Sequence, residues 1–195
     1  MTKILGVWIS EDLSWAKNTQ EILKKGYSRV SFLSKLKYAG VVIEDLLELY
    51  QLFIRSCAEY CAVAFHSSLT NAQARSLERL QSTCLKVILQ ENYVSYSSAL
   101  EMTGLQSLYE RRVERCLNFS LKSIKHPHNS RFFPLNPNLQ SDQNNPLWRE
   151  KFYVNWARTD DYQMSALPYC QRLLNDHFAT KSLPKNIKSQ LKTTD

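Results

Sequence analysis

Ile43-Glu44-Asp45-Leu46-Leu47-Glu48-Leu49-Tyr50-Gln51-Leu52-Phe53-Ile54-Arg55-Ser56-Cys57-Ala58-Glu59-Tyr60-Cys61-Ala62-Val63-Ala64-Phe65-His66 is the stretch that decides the fold class. At about 100° per residue, Leu46, Leu47, Leu49, Tyr50, Phe53, Ile54, Cys57, Tyr60, Cys61, Ala64 and Phe65 fall within roughly 160° of one another. Glu44, Glu48, Gln51, Arg55 and Glu59 take the other side. So wide an apolar face belongs in a core, and the spacing predicts one helix over about 43–66.

The same period extends on both sides. Upstream, residues 15–38 put Leu23, Tyr27, Val30 and Ser34 on one face, and Gly40 is the stop. Lys3–Ser10 is nearly continuous in β-prone apolar residues and reads as one short strand, with Glu11–Ser14 turning the chain. Downstream, Thr70 and Gln73 have the spacing of a capping box. That helix runs to about Gln90 and buries Leu77, Leu80, Cys84, Leu85 and Ile88. A short helix is expected after Ser98, with Glu101 in the box position and Gly104 as its end. Another opens at Ser107 with Glu110 and carries Tyr109, Val113, Cys116, Leu117, Leu121 and Ile124 to a stop at His126-Pro127.

Beyond that point the character changes. Pro127, Pro134, Pro137 and Pro146 punctuate a stretch rich in Asn, Ser and Gln, which reads as a linker. Phe152, Val154 and Trp156 alternate as in a strand, 165–178 is amphipathic, and the tail is polar and Lys-rich. The expected architecture is mainly α: a short N-terminal β-strand, a bundle of about five helices, and a loop-rich C-terminal appendage with one further helix. The expected divisions are 1–125, a Pro/Asn-rich linker at 126–148, and 149–195.

Composition narrows the chemistry. The chain has 195 residues, of which only 4 are Gly, against about 14 at average usage. Gly6, Gly26, Gly40 and Gly104 stand far apart, so neither a phosphate-cradling loop nor a dinucleotide-binding turn can be built from them. No run of about 18 apolar residues is present to span a membrane. Five Cys at irregular spacing do not make a secreted disulfide framework. An intracellular protein is expected, with no secretory signal. The net charge of +7 permits an acidic partner, though the excess is mild and spread along the chain.

Each candidate site has a competing structural reading. Cys57 and Cys61 share a helical face but have no further ligand at zinc spacing, so they read as core. His126 and His128 lie in a Pro/Asn loop, and His66 and His177 stand alone. Asp160-Asp161 lacks the third carboxylate that two-metal chemistry needs and reads as a turn. No metal, cofactor or small-molecule substrate is indicated. The cations are more informative. Arg111, Arg115 and Lys122 oppose the apolar stripe of their helix, as do Arg75, Arg79 and Lys86 on theirs and Lys17, Lys24 and Lys35 on the first. Such ridges can meet phosphates. They are also what a plain solvated helix face carries, and Glu78, Glu110 and Glu114 sit close by.

The order of residues adds a resemblance. Ile4-Leu5-Gly6-Val7-Trp8-Ile9 followed by Asp12-Leu13-Ser14-Trp15 resembles the stretch that leads from palm to thumb in non-LTR (LINE-type) retrotransposon reverse transcriptases. Leu49-Tyr50 with Phe53-Ile54-Arg55-Ser56-Cys57-Ala58-Glu59-Tyr60 resembles that family's L-Y-x-x-F-I-R-S-x-x-E-Y helix. Phe65-His66-Ser67-Ser68-Leu69 with Leu77-Glu78-Arg79-Leu80-Gln81 resembles its W-H-S-S-L … L-E-R-V-Q segment, Phe65 standing for the usual Trp. Residues 149–155 and 165–175 resemble the end of such reading frames, so the likeness covers about 3–178.

The resemblance implies a thumb-like helical domain whose outer faces track a duplex or RNA–DNA hybrid backbone. It also implies a primer-grip-like strand at Leu5, Gly6 and Val7, with the polymerase palm as natural packing partner. The family's Tyr-x-Asp-Asp is not found, and Asp160-Asp161-Tyr162 has the wrong order. A truncated element without its own catalysis is therefore the expectation. The first segment also resembles one labelled as the N-terminal domain of an AlkB-homologue enzyme, yet no dioxygenase H-x-D is present. On this reading, reversing Arg75, Arg79, Arg111 and Arg115 abolishes hybrid binding. The rival expectation is a helical protein-interaction module anchored by exposed Phe152, Trp156 and Tyr162. A third is that, with the palm surface over Leu5, Val7 and Trp8 missing, the chain does not fold stably.

Overall fold

The computed structural model of the chain describes residues 1–136, 151–156 and 158–179. They are mainly helical, with a short sheet at the N-terminus. The chain divides into two compact units, Met1–Val113 and Glu114–Asp195, the division falling inside one helix.

The first unit opens with a hairpin rather than the single strand expected. Strand β1 (Thr2–Ile4) pairs antiparallel with β2 (Val7–Ile9), Lys3 opposite Trp8 and Ile4 opposite Val7. Leu5 and Gly6 connect them at φ +46° and +87°. Positive φ at both central residues is the two-residue turn whose twist matches paired strands. Gly6 adopts that conformation freely, having no Cβ. The unbroken apolar run through Leu5 hid the turn. The expected strand at Leu5, Gly6 and Val7 is thereby corrected: only Val7 is in a strand.

Helix α1 (Ala16–Tyr38) buries Ile22, Gly26, Val30 and Leu33. It ends where Gly40 takes φ +86°, with the Val41 N–H donating to Leu36 O at 3.2 Å. Gly26 is costly inside a helix, and its neighbour supplies the reason. A Cβ at this position would press on Leu80 Cδ2 and lie 3.0 Å from Cδ1. Leu80 is itself buried in a cluster with Val30, Leu33, Tyr50, Ile54 and Cys84 and has nowhere to move. Gly26→Ala is expected to lower stability by about 1–2 kcal/mol, overpacking outweighing the gain in helix propensity. Urea denaturation of the two proteins measures it, and a stabilised variant would refute the close approach.

The long helix expected over 43–66 is instead a broken run. Helix α2 (Ile43–Leu49) passes through a π-helical turn (Tyr50–Arg55) into α3 (Ser56–Glu59). The chain then breaks at Tyr60 and Cys61, the latter left-handed at φ +54°, and resumes as α4 (Ala62–Phe65). A buried line runs through Leu46, Tyr50, Ile54 and Ala58 at a period of four, and Glu59, Ala62, Phe65 and His66 are buried as well. In a regular α-helix each such step rotates about 40° past a full turn, so the stripe would wind off the core. The wider π turn absorbs that drift. It leaves Phe53, Tyr60, Cys61 and Ala64 exposed, contrary to the expected stripe, and turns Glu59 inward.

Helix α5 (Asn71–Leu89) has the expected capping box. Thr70 Oγ1 accepts from the Gln73 N–H at 3.2 Å, and Gln73 Oε1 accepts from the Thr70 N–H at 2.8 Å. Leu77, Leu80, Cys84, Leu85 and Ile88 are all buried. Helix α6 (Tyr96–Thr103) begins earlier than expected, because Ser95 rather than Ser98 is its cap. It ends at left-handed Gly104. Helix α7 (Leu108–Ser123) opens on the Ser107–Glu110 box. Its buried line runs through Leu108, Arg112, Cys116 and Ser120; of the expected stripe Cys116 and Ile124 are buried, Val113, Leu117 and Leu121 half-buried, and Tyr109 exposed.

In the second unit the expected strand at 152–156 is a single antiparallel bridge between Leu135 and Phe152. Asn175, on helix α9 (Ala166–Phe178), holds both backbone groups of Phe152: its Oδ1 accepts the N–H at 2.7 Å and its Nδ2 donates to the carbonyl at 2.9 Å. Phe152 is buried, so it is not an exposed anchor, whereas Trp156 is 82% exposed and Tyr162 is also exposed. Asp160 and Asp161 open the short helix α8 (Asp160–Gln163). The expected linker beyond residue 136, and the tail from 180, lie outside the described residues.

Candidate nucleic-acid interface

The sequence nominated nine cations, and the fold treats them unequally. Lys24 and Lys35 on α1, and Arg75, Arg79 and Lys86 on α5, are exposed. Among the described residues no carboxylate forms an ion pair with any of these five. Arg75 Nε donates to Asn71 O at 3.1 Å, and Lys86 Nζ stands 5.3 Å from the Tyr93 ring centre. Both contacts steady the side chains without neutralising them.

Lys17 and Arg111 are withdrawn. Lys17 Nζ pairs with Glu21 at 2.9 Å and lies over the Trp8 ring. Arg111 grips Glu59 with two bonds, Nε to Oε1 at 2.7 Å and Nη2 to Oε2 at 3.2 Å. The Glu59 side chain is 2% exposed and also has Arg55 Nε at 3.7 Å. A bidentate guanidinium on a buried carboxylate holds α7 against α3. Arg111 is therefore part of the internal structure, and its expected role as a phosphate contact is corrected. Arg115 and Lys122 are exposed and lie on the part of α7 that belongs to the second unit.

The α1 and α5 ridges do not merge into one surface. Gly26 faces Leu80 where the two helices meet. Lys24 and Lys35 lie about 160–180° round α1 from Gly26, and Arg75, Arg79 and Lys86 about 100–140° round α5 from Leu80. Both ridges point away from the contact. A rigid duplex meets one of them at a time, and the α5 ridge carries three cations over about three turns.

Periodicity did not single out the buried charge cluster around Arg112. Arg112 is completely buried. Its Nη2 lies 3.5 Å from Glu78 Oε1, and its Nε donates to His66 Nδ1 at 3.4 Å. Glu78 Oε2 accepts from Tyr96 Oη at 2.6 Å and from the Leu108 N–H at 3.2 Å. Burial first, and then the Arg112 charge, pushes His66 down to about 4. Burial, together with the bond to Glu78, pushes the Tyr96 phenol well above its usual range. The one available signal was a cation in line with Leu108 and Cys116 at four-residue spacing. The arrangement pairs the buried guanidinium with Glu78 and His66 and has no opening to solvent at Arg112.

The thiols and imidazoles divide similarly. Cys84, Cys116 and Cys170 are buried, but Cys57 is half-buried and Cys61 exposed, against the expected core placement of both. Cys57 follows the π turn directly, and Cys61 sits at the left-handed break. Arg29 Nη1 donates to Cys57 Sγ at 2.6 Å and to the Phe53 carbonyl in the π turn. His126 and His128 sit in an exposed loop as expected, their rings 5.8 Å apart. Among the described residues no group of three His, Cys, Asp or Glu is placed to hold a metal, and no helix is long and apolar enough to cross a membrane. No family model, curated protein or solved structure matches this chain.

Proposed function

We propose that the chain is a thumb-like remnant of a non-LTR retrotransposon reverse transcriptase that has no catalysis of its own and makes weak contact with nucleic-acid backbones through α5. The observation that carries this is the row Arg75, Arg79 and Lys86, exposed on one helix face with no carboxylate partner among the described residues. The ordered likeness of five stretches of sequence supports the ancestry. So does the placement of two of them, the L-Y-x-x-F-I-R-S run on α2–α3 and the L-E-R segment on α5.

Three phosphate contacts have a definite salt signature. Each neutralised phosphate releases condensed counterions, so affinity for a hybrid should fall about 40-fold between 50 and 200 mM salt. The triple reversal Arg75→Glu, Arg79→Glu, Lys86→Glu should abolish retention of an RNA–DNA hybrid in a low-salt filter assay. Lys24→Glu with Lys35→Glu, on the diverging ridge, should leave most of it. Arg111 is left intact because its reversal would set a carboxylate against Glu59 and read out folding instead. Full retention by the α5 triple variant sinks the proposal.

A further inference from the structure

The register of the hairpin leaves one strand edge open. In a two-residue hairpin Ile4 and Val7, flanking the turn, exchange both backbone bonds, and the next pair, Lys3 and Trp8, exchanges none. The backbone groups of Lys3 and Trp8 therefore point outward from opposite edges of the sheet. On the β2 edge the Trp8 N–H donates to Asn18 Oδ1 at 3.2 Å, and Asn18 is buried on α1. The outward N–H of that edge is thus satisfied from within. On the β1 edge Thr2, Lys3 and Ile4 are all exposed, and no bond satisfies the outward N–H and C=O of Lys3 among the described residues. Ile4 is 52% and Leu5 85% exposed beside it. An isolated two-stranded sheet is marginal, and an open edge is a template for a further strand.

Charge identifies the occupant. Lys3 and Lys17 both stand at the Trp8 ring, 5.6 and 5.8 Å from its centre. Lys17 has the Glu21 carboxylate at 2.9 Å; Lys3 has no carboxylate partner among the described residues. A second copy of this chain fits badly. Self-pairing through the outward groups would centre on Lys3 opposite Lys3, and like charges across paired strands repel.

We propose that the β1 edge receives an extended strand of another protein, which bonds to the Lys3 backbone and places a carboxylate beside the Lys3 ammonium. Backbone bonds supply the affinity and the acidic residue the selectivity, as in other strand additions. This does not depend on the nucleic-acid reading, since it uses neither α5 nor phosphate.

The probe is the capped peptide Thr-Val-Glu-Val-Thr, with a Lys-centred twin, titrated into the full chain and followed by amide hydrogen exchange. The Glu-centred peptide is expected to slow exchange at Lys3 about tenfold or more while leaving Trp8 unchanged. Lys3→Glu should transfer the preference to the Lys-centred peptide. Lys3→Pro removes the outward N–H but no bond across the hairpin, and should abolish binding of the peptide. Absence of slowing at millimolar peptide, or peptide binding retained by Lys3→Pro, overturns the proposal. Protection of Lys3 that rises with protein concentration alone would make a second copy the occupant and overturn it equally.

Discussion

Replacing Arg112 by alanine is expected to be the most destabilising single change in Met1–Val113, at about 3–5 kcal/mol. Arg112 is fully enclosed, and its guanidinium donates to Glu78 and to His66. Truncation takes the guanidinium from Glu78, which keeps its Tyr96 and Leu108 donors, removes the donor from His66 Nδ1, and opens a void the length of the side chain. Each of these is costly where water cannot enter. The buried charge is not intrinsically stabilising, because fully desolvating the guanidinium offsets much of its attraction to the partly exposed Glu78. Arg112→Met with Glu78→Gln, which fills the space without an uncompensated ion, should therefore recover more than half of the loss. Urea denaturation of the three proteins decides this. A loss below about 1 kcal/mol for Arg112→Ala would mean that the cluster is not a single interdependent unit.

The parts of this fold legible in the sequence are those set by neighbours in sequence. Thr70 and Gln73, and Ser107 and Glu110, satisfy each other's backbone groups within one turn, so their spacing alone locates helix starts. Gly40 and Gly104 end helices because a left-handed residue is needed there. The broken helix was not legible. A period of 3.6 drawn from Ile43 to His66 collects more apolar residues than the buried line at a period of four, since Phe53, Tyr60 and Cys61 are apolar yet exposed. What selects the π turn is the line Leu46-Tyr50-Ile54-Ala58 facing the core, a tertiary requirement. Ser98 mimicked a cap for the same kind of reason, having an acid three residues on, while Ser95 took the role.

The candidate interface divides along the same line. Exposure of Lys24, Lys35, Arg75, Arg79 and Lys86 follows from their place opposite an apolar stripe, which sequence shows directly. Withdrawal of Arg111 does not, because its partner Glu59 lies 52 residues away and faces inward only through the π turn. Arg112 and Glu78 are 34 residues apart and invisible to any local rule. Nor could the divergence of the α1 and α5 ridges be read before Gly26 was found against Leu80. Helix surfaces are predictable one at a time, whereas a docking surface depends on how the helices cross.

Acidification should weaken the first unit through His66. In the unfolded chain the imidazole titrates near 6.5, and in the fold it is held down to about 4, by burial first and by the Arg112 charge second. Arg112 can only donate, so Nδ1 must accept and the ring proton sits on Nε2. Protonating Nδ1 would break that bond and set two cations together in a buried site. As pH falls through 6.5 the unfolded chain takes up a proton that the folded chain refuses. Stability is therefore complete above about 6.5 and declines as pH falls towards 4, by about 1.4 kcal/mol per pH unit in the middle of that window and roughly 3 kcal/mol in all. Below about 4 the folded imidazole also takes up its proton and this contribution stops changing. Carboxylates titrate in the lower part of the same range, but they do so equally in His66→Gln. The difference between wild type and His66→Gln, measured by urea denaturation at pH 7 and pH 5, isolates the imidazole. Wild type should lose about 2 kcal/mol more than the variant over that interval. Parallel losses in the two proteins would show that His66 takes up its proton in the fold as readily as in the open chain, and that the Arg112 bond does not hold it neutral.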